Sequence, residues 1–224
     1  MIILSAILSI SQLRHIDYII RNTINPIDDI NRRNLLDVEN NWHYTVFLQA
    51  VNRYLLVKEE HNEFDDDFHY ALNSFLHYVD WMLQNENPYL DNPENLEFPN
   101  FTWAAQDIRK ANIFFGAAYF DINNSDKYLK KANFFKSYVI NTLNETVTSS
   151  YTRILSILMQ NQTPLHFHQP KNKLFELDRS SKYQINKSYT SYHYFINLFF
   201  ILLKALANFS ITKELTWIKS RIGR

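Results

Sequence analysis

With 2 glycines and 6 prolines in 224 residues, the chain has almost none of the punctuation that strands and tight turns need. Hairpin turns call for residues that tolerate positive φ, and phosphate-cradling loops call for glycine runs. Neither is supplied, so helices are the natural outcome. Aromatic residues make up 16% of the chain, enough to bury large areas in contacts between helices. The length suits one core or an array of stacked hairpins, and we read residues 1–224 as a single all-helical domain.

Apolar periodicity divides the chain into helical blocks. The first covers residues 2–23 and ends at Asn25-Pro26. Trp42, Val46, Ala50 and Tyr54 recur at helical spacing and predict a helix over residues 38–60. Phe64, Phe68, Leu72, Phe75, Val79 and Met82 trace the next stripe to about residue 85, before the break at Asn87-Pro88. On this last helix Tyr70, His77 and Trp81 share a face suited to packing against a neighbouring hairpin. An ordered loop over residues 89–101 follows, and Thr102 offers an N-cap for a helix to about Tyr119. Further helices are expected from Asn124 or Ser125 to Leu143, over 148–160, 188–209 and 212–222, with a flexible loop or linker at 162–187. The expected fold is therefore all-α, with antiparallel helical hairpins in a curved layer or partial toroid.

Charge narrows the partners. Lysine plus arginine, 23, balance aspartate plus glutamate, 23, so no overall field gathers nucleic acid or an anionic membrane. The N-terminal run lacks a basic leader region and a small-residue cleavage site, and it reads as a helix rather than a signal peptide. The apolar run near the C-terminus is interrupted by Asn197 and Lys204 and reads as a buried helix, so no membrane span is expected. The absence of cysteine excludes disulfides and thiolate chemistry and fits a reducing, cytoplasmic compartment. The Asn-x-Ser/Thr triplets at Asn100, Asn144, Asn161, Asn186 and Asn208 follow from an asparagine-rich composition rather than from glycosylation. No metal or cofactor is expected: Asp65, Asp66 and Asp67 read as a solvated first turn, and His166 and His168 lack a third ligand at suitable spacing.

The chemistry concentrates in TWAAQDIRK, residues 102–110. At about 100° per residue, Ala104, Ile108, Ala111, Phe115 and Ala118 point one way, while Trp103, Asp107, Lys110 and Phe114 form a second stripe beside them. Residues 38–60 are apolar almost all round except for the stripe Trp42, Val46, Gln49 and Arg53. A narrow polar and aromatic line on such a helix faces either a paired network or a cleft. Asp107 and Lys110 at i, i+3 satisfy the first description as an ordinary ion pair. Trp42, Gln49, Arg53, Trp103, Gln106 and Lys110 satisfy the second as sugar-binding groups, because an indole packs on the C–H face of a ring and planar polar groups orient its hydroxyls. Canonical glycoside hydrolysis needs two carboxyl groups. Asp107 is one candidate, and Glu39 or Asp37 the other.

The segments NWHYTVFLQAVNRYL, FHYALNSFLHYVDWML and LEFPNFTWAAQDIRKANIFFGAAYF resemble the C-terminal portion of uncharacterised bacterial (α/α)-toroid proteins, akin to six-hairpin glycosidases and polysaccharide-lyase-like folds, over residues 38–120. The resemblance implies a helical toroid that binds or processes an oligosaccharide or polysaccharide. It also implies a carboxylate where this chain has Phe101, so that an acid is lost and binding without catalysis is favoured. About six to eight helices make only three or four hairpins, fewer than a closed six-hairpin ring, so the resemblance leads us to expect a fragment or an incomplete ring, with an N-terminal toroid half as the candidate missing part. The alternative is a helical-repeat scaffold for protein interaction, in which the same residues merely knit hairpins together.

Overall fold

The computed structural model describes residues 10–146 and 151–162, together with Phe199 and Leu203. The chain divides into two compact units, Met1–Tyr183 and Gln184–Arg224, and the elements below all belong to the first. They are α1 (Ile10–Thr23), α2 (Val38–Asn41), α3 (His43–Glu60), α4 (Asp66–Asn85), α5 (Phe101–Gln106), α6 (Ile108–Phe120), α7 (Ser125–Asn144) and α8 (Tyr151–Gln160). Single 3-10 turns fill Ile30–Arg33, Tyr89–Asp91, Pro93–Asn95 and Ile122–Asn124. The fold is all-α: among the described residues there is no strand, and no described helix is long and apolar enough to cross a membrane. Residues 2–9 and 148–150 of the expected helices, the loop at 162–187 beyond Gln162, the helix at 212–222, and that at 188–209 apart from Phe199 and Leu203 lie outside the described residues.

The expected helices appear with two interruptions. Residues 38–60 break at Trp42, giving α2 and α3. The helix expected from Thr102 breaks at Asp107, giving α5 and α6, and it is capped two residues earlier than predicted. Asn100, in extended backbone, accepts the Thr102 N–H on its side-chain oxygen at 2.9 Å. An asparagine placed ahead of the first turn has therefore displaced the threonine as cap.

Helix α6 occupies the centre and packs against α3, α4, α5 and α7. Its burial follows from its sequence: Ala111 and every residue from Ile113 to Phe120 are buried, leaving no side for solvent. Leu48, Val51 and Leu55 of α3, Phe68, Leu72, Phe75, Val79 and Met82 of α4, and Tyr128, Ala132 and Phe135 of α7 complete the core around it. Phe114 and Phe135 lie stacked at 6.0 Å. Each fully buried leucine or phenylalanine contributes about 1.5–3 kcal/mol. The shared face of α4 packs on the segment after α1 rather than on a neighbouring hairpin: Tyr70 donates to the Ile24 carbonyl at 3.0 Å, and His77 lies 2.8 Å from the Asp28 carbonyl. Trp81 donates to Asn31 at 2.9 Å. The acids at the start of α4 are paired as well as exposed to the helix dipole, Asp65 with the buried Lys58 at 2.6 Å and Asp67 with Arg21.

At Gly116 of α6 the backbone lies directly against the Asn52 side chain of α3. A methyl carbon at that position would lie 2.3 Å from Asn52 Nδ2 and 2.4 Å from its Oδ1, so the asparagine amide fills the space a side chain would take. Glycine to alanine inside a helix ordinarily gains about 1 kcal/mol. Here we expect Gly116→Ala to lose about 1–2 kcal/mol, because overpacking outweighs the helix gain. In an Asn52→Ala background the same change should stabilise. Urea denaturation of the four chains in this cycle tests the expectation, and simple additivity would refute it.

Candidate functional site

Four elements meet around an open cavity of about 270 Å³. Helix α2 brings Glu39 and its C-cap residue Trp42, the loop before α5 brings Phe98 and Asn100, α5 brings Thr102, Trp103 and Gln106, and α8 brings Arg153. Helix α8 reaches this place because Ile154 and Ile157 on its inner face bury against Ala105 of α5. The indoles of Trp42 and Trp103 meet edge to face, with centroids 6.5 Å apart and planes at 83°. Behind Trp103 stands Tyr89, also edge to face at 5.5 Å.

Several polar groups at the rim are already engaged in holding the frame. Asn100 accepts the Thr102 N–H and donates to the Phe98 carbonyl at 2.7 Å. Glu39 accepts the Glu97 N–H at 2.9 Å, which ties the loop carrying Phe98 to α2. Gln106 accepts from Arg109 Nε at 2.8 Å, leaving its NH₂ as the group with donors to offer. The Arg109 guanidinium also lies 5.9 Å from the Trp42 ring centroid. Among the described residues, Glu39 is the only carboxylate lining the cavity.

Of the residues expected to form the site, Glu39, Trp42, Trp103 and Gln106 do line this cavity. The others lie elsewhere. Gln49 donates to Asn161 at 2.8 Å, and Arg53 pairs loosely with Glu60 at 3.8 Å on an exposed part of α3. Asp37 accepts from Asn40 at 3.0 Å, ahead of α2. Asp107 and Lys110 are fully buried, both at 0% exposure, so neither presents a group to the cavity. The pairing of Asp107 with Glu39 across a sugar bond therefore does not form here. Among the described residues no cluster of three His, Asp or Glu side chains could hold a metal ion, and His166 and His168 lie outside the described residues.

Asp107 and Lys110 belong instead to a buried ionic cluster. Lys110 Nζ sits 2.7 Å from Glu86 Oε2 and 2.9 Å from Asp107 Oδ1, and donates to the Asn87 carbonyl at 2.6 Å. Its ammonium also lies 3.4 Å from the Tyr89 ring centroid. Asp107 accepts the Tyr89 N–H on Oδ2 at 3.0 Å, and Tyr44 donates its hydroxyl to Glu86. Burial pushes the Asp107 carboxyl up to about 6, against the pull of Lys110 and the Tyr89 N–H and with the push of Glu86. Burial pulls the Lys110 ammonium down, but Tyr89, Asp107 and Glu86 together outweigh it and hold the group above its ordinary value. Burial and the adjacent Glu86 push the Tyr44 hydroxyl well up. The sequence signalled the i, i+3 pair but not Glu86, Tyr89 or Arg153, whose partners are far along the chain. A lysine inside an apolar helical stripe was the available hint that more than one counter-charge had to be supplied.

No family model, curated protein or solved structure matches the chain.

The cluster makes two stability predictions. Lys110→Met should cost about 3–5 kcal/mol, because two buried acids lose their common cation. Asp107 holds its proton more tightly folded than unfolded, so its stabilising contribution is complete below 3.8 and lost as pH rises through about 6. Asp107→Asn removes that dependence. The stability of the variant relative to the native chain should therefore rise between pH 4 and pH 7, by up to roughly 3 kcal/mol. Urea unfolding at several pH values measures both, and a constant difference between the two chains would refute the second.

Proposed function

We propose that the Trp42–Trp103 cavity binds carbohydrate and that the chain acts by binding rather than by hydrolysis. The observation that supports this is the convergence of two indoles from separate elements at 6.5 Å in an open, polar-rimmed cavity. Indole faces pack on the C–H surface of a sugar ring, and the Gln106 amide, the Arg153 guanidinium and the outer Glu39 oxygen offer directional partners for hydroxyls. A cavity of about 270 Å³ suits one sugar residue of an oligosaccharide or polysaccharide at a time. With Glu39 the one lining carboxylate among the described residues, the two-acid arrangement of canonical glycoside hydrolysis draws no support from this cavity.

We take the packed pairs α3–α4 and α6–α7 as hairpins of a partial (α/α) toroid related to the six-hairpin glycosidase-like proteins, and place the protein in the cytoplasm, in keeping with its lack of cysteine. A second reading, a helical scaffold for protein interaction, draws support from two observations. Gln49, Asp107 and Lys110 are paired within the fold, and Tyr151, Leu155 and Met159 are exposed on α8.

A glycan array probed with the full chain separates the readings. We expect defined glycans to bind, Trp42→Ala to weaken them at least about ten-fold, equivalent to about 1.4 kcal/mol, and Arg53→Ala to leave them unchanged. A reducing-sugar assay on the same glycans should show no release. An array without signal, or binding indifferent to Trp42→Ala in a folded chain, removes the sugar reading and leaves the scaffold.

A further inference from the structure

We propose that the buried Glu86–Lys110–Asp107 cluster sets the position of the Trp103 indole through Tyr89, making Asp107 and Lys110 positioning residues for a cavity they do not touch. The contacts form an unbroken path. Trp103 lines the cavity and meets the Tyr89 ring at 5.5 Å. The Lys110 ammonium lies 3.4 Å from the centroid of that ring. The main chain of the same residue is held by Asp107, whose Oδ2 accepts the Tyr89 N–H at 3.0 Å. Tyr89 is thereby fixed at two points by the cluster, and it is buried, at 5% exposure. Helical geometry closes the loop, because Trp103 and Asp107 are four residues apart at the end of α5 and so project on one side.

Proton occupancy of Asp107 should be felt along this path. A carboxylate accepting an N–H bond is roughly twice as strong a partner as a neutral acceptor. Protonation would weaken the hold on the Tyr89 main chain and leave Glu86 as the sole anion on Lys110, drawing the ammonium toward it. The charged and titratable groups facing Asp107 are Lys110 of α6, Glu86 with its donor Tyr44, and Tyr89; Tyr138 and Lys131 of α7 lie within electrostatic reach of the cluster. As a control on the indole the inference stands by itself; as a control on ligand affinity it rests on the sugar reading of the cavity.

The test is tryptophan emission of the full chain between pH 4.5 and pH 8, with Trp103→Phe subtracted to isolate that indole. We expect a step in the Trp103 component centred near pH 6, lost in Asp107→Asn. The Tyr89 pair guards against an Asp107 variant that fails to fold: Tyr89→Phe should retain the step, whereas Tyr89→Leu should lose it while keeping the pH dependence of stability. A Trp103 component flat across this range, a step that survives in folded Asp107→Asn, or one that survives in Tyr89→Leu would overturn the inference. Glycan-array binding at pH 5 and pH 7.5 keeps the two proposals apart. A fluorescence step without glycan binding sinks the sugar reading alone, and glycan binding without the step sinks the positioning role alone.

Discussion

A single ammonium group, that of Lys110, ties the end of α4 and the turn after it to the joint between α5 and α6. Glu86 follows directly on α4, Asn87 and Tyr89 belong to the turn beyond it, and Asp107 stands at the joint between α5 and α6. Taking an ammonium and two carboxylates out of water costs several kcal/mol per ion, and their attraction offsets this only when the geometry is good and the remaining donors are used. Here the third donor direction is met by the Asn87 carbonyl and the ring face of Tyr89 takes another side. The demand for all of these partners at once is what fixes the loop against the joint. A hydrophobic residue in place of the lysine could fill the volume without specifying which segments come together.

The same cluster meets the helix at its interruption, Asp107. The apolar stripes of residues 101 to 120 run through without a gap and would suit one continuous helix. The joint instead has its Asp107 backbone at φ −61° and ψ −17°, with the Ala111 N–H reaching Asp107 O at 3.3 Å. The local cost is small, and the side chain at the joint is the one that bonds the Tyr89 main chain.

Helix positions were legible because their signal is periodic and local. The N-cap was misplaced because Asn100 and Thr102 are both competent caps, and only the extended backbone at Asn100 decides between them. The ionic pair was equally legible at i, i+3, while its third member Glu86 lies beyond a turn rich in asparagine and proline, where no period links the two. The polar stripe on α3 misled for a geometric reason. Trp42 and Arg53 are eleven residues apart, about 16 Å along a helix, too far for both to face one small cavity. Only the end of the stripe reaches it, and the far wall comes from Arg153, a residue on α8 with no sequence pattern to connect it to either tryptophan.

The cavity has a frame held by its own polar side chains. Its polar side chains are few, and two of them, Asn100 and Glu39, have hydrogen-bonding atoms engaged in holding the loop that bears Phe98. Glu39 holds the Glu97 N–H with one of its oxygens. The group is planar, so the contact that fixes the loop also fixes the direction of its second acceptor oxygen. The second acid of the sequence, Asp107, is withdrawn into the core to hold Lys110, which leaves Glu39 as the carboxylate lining the cavity among the described residues.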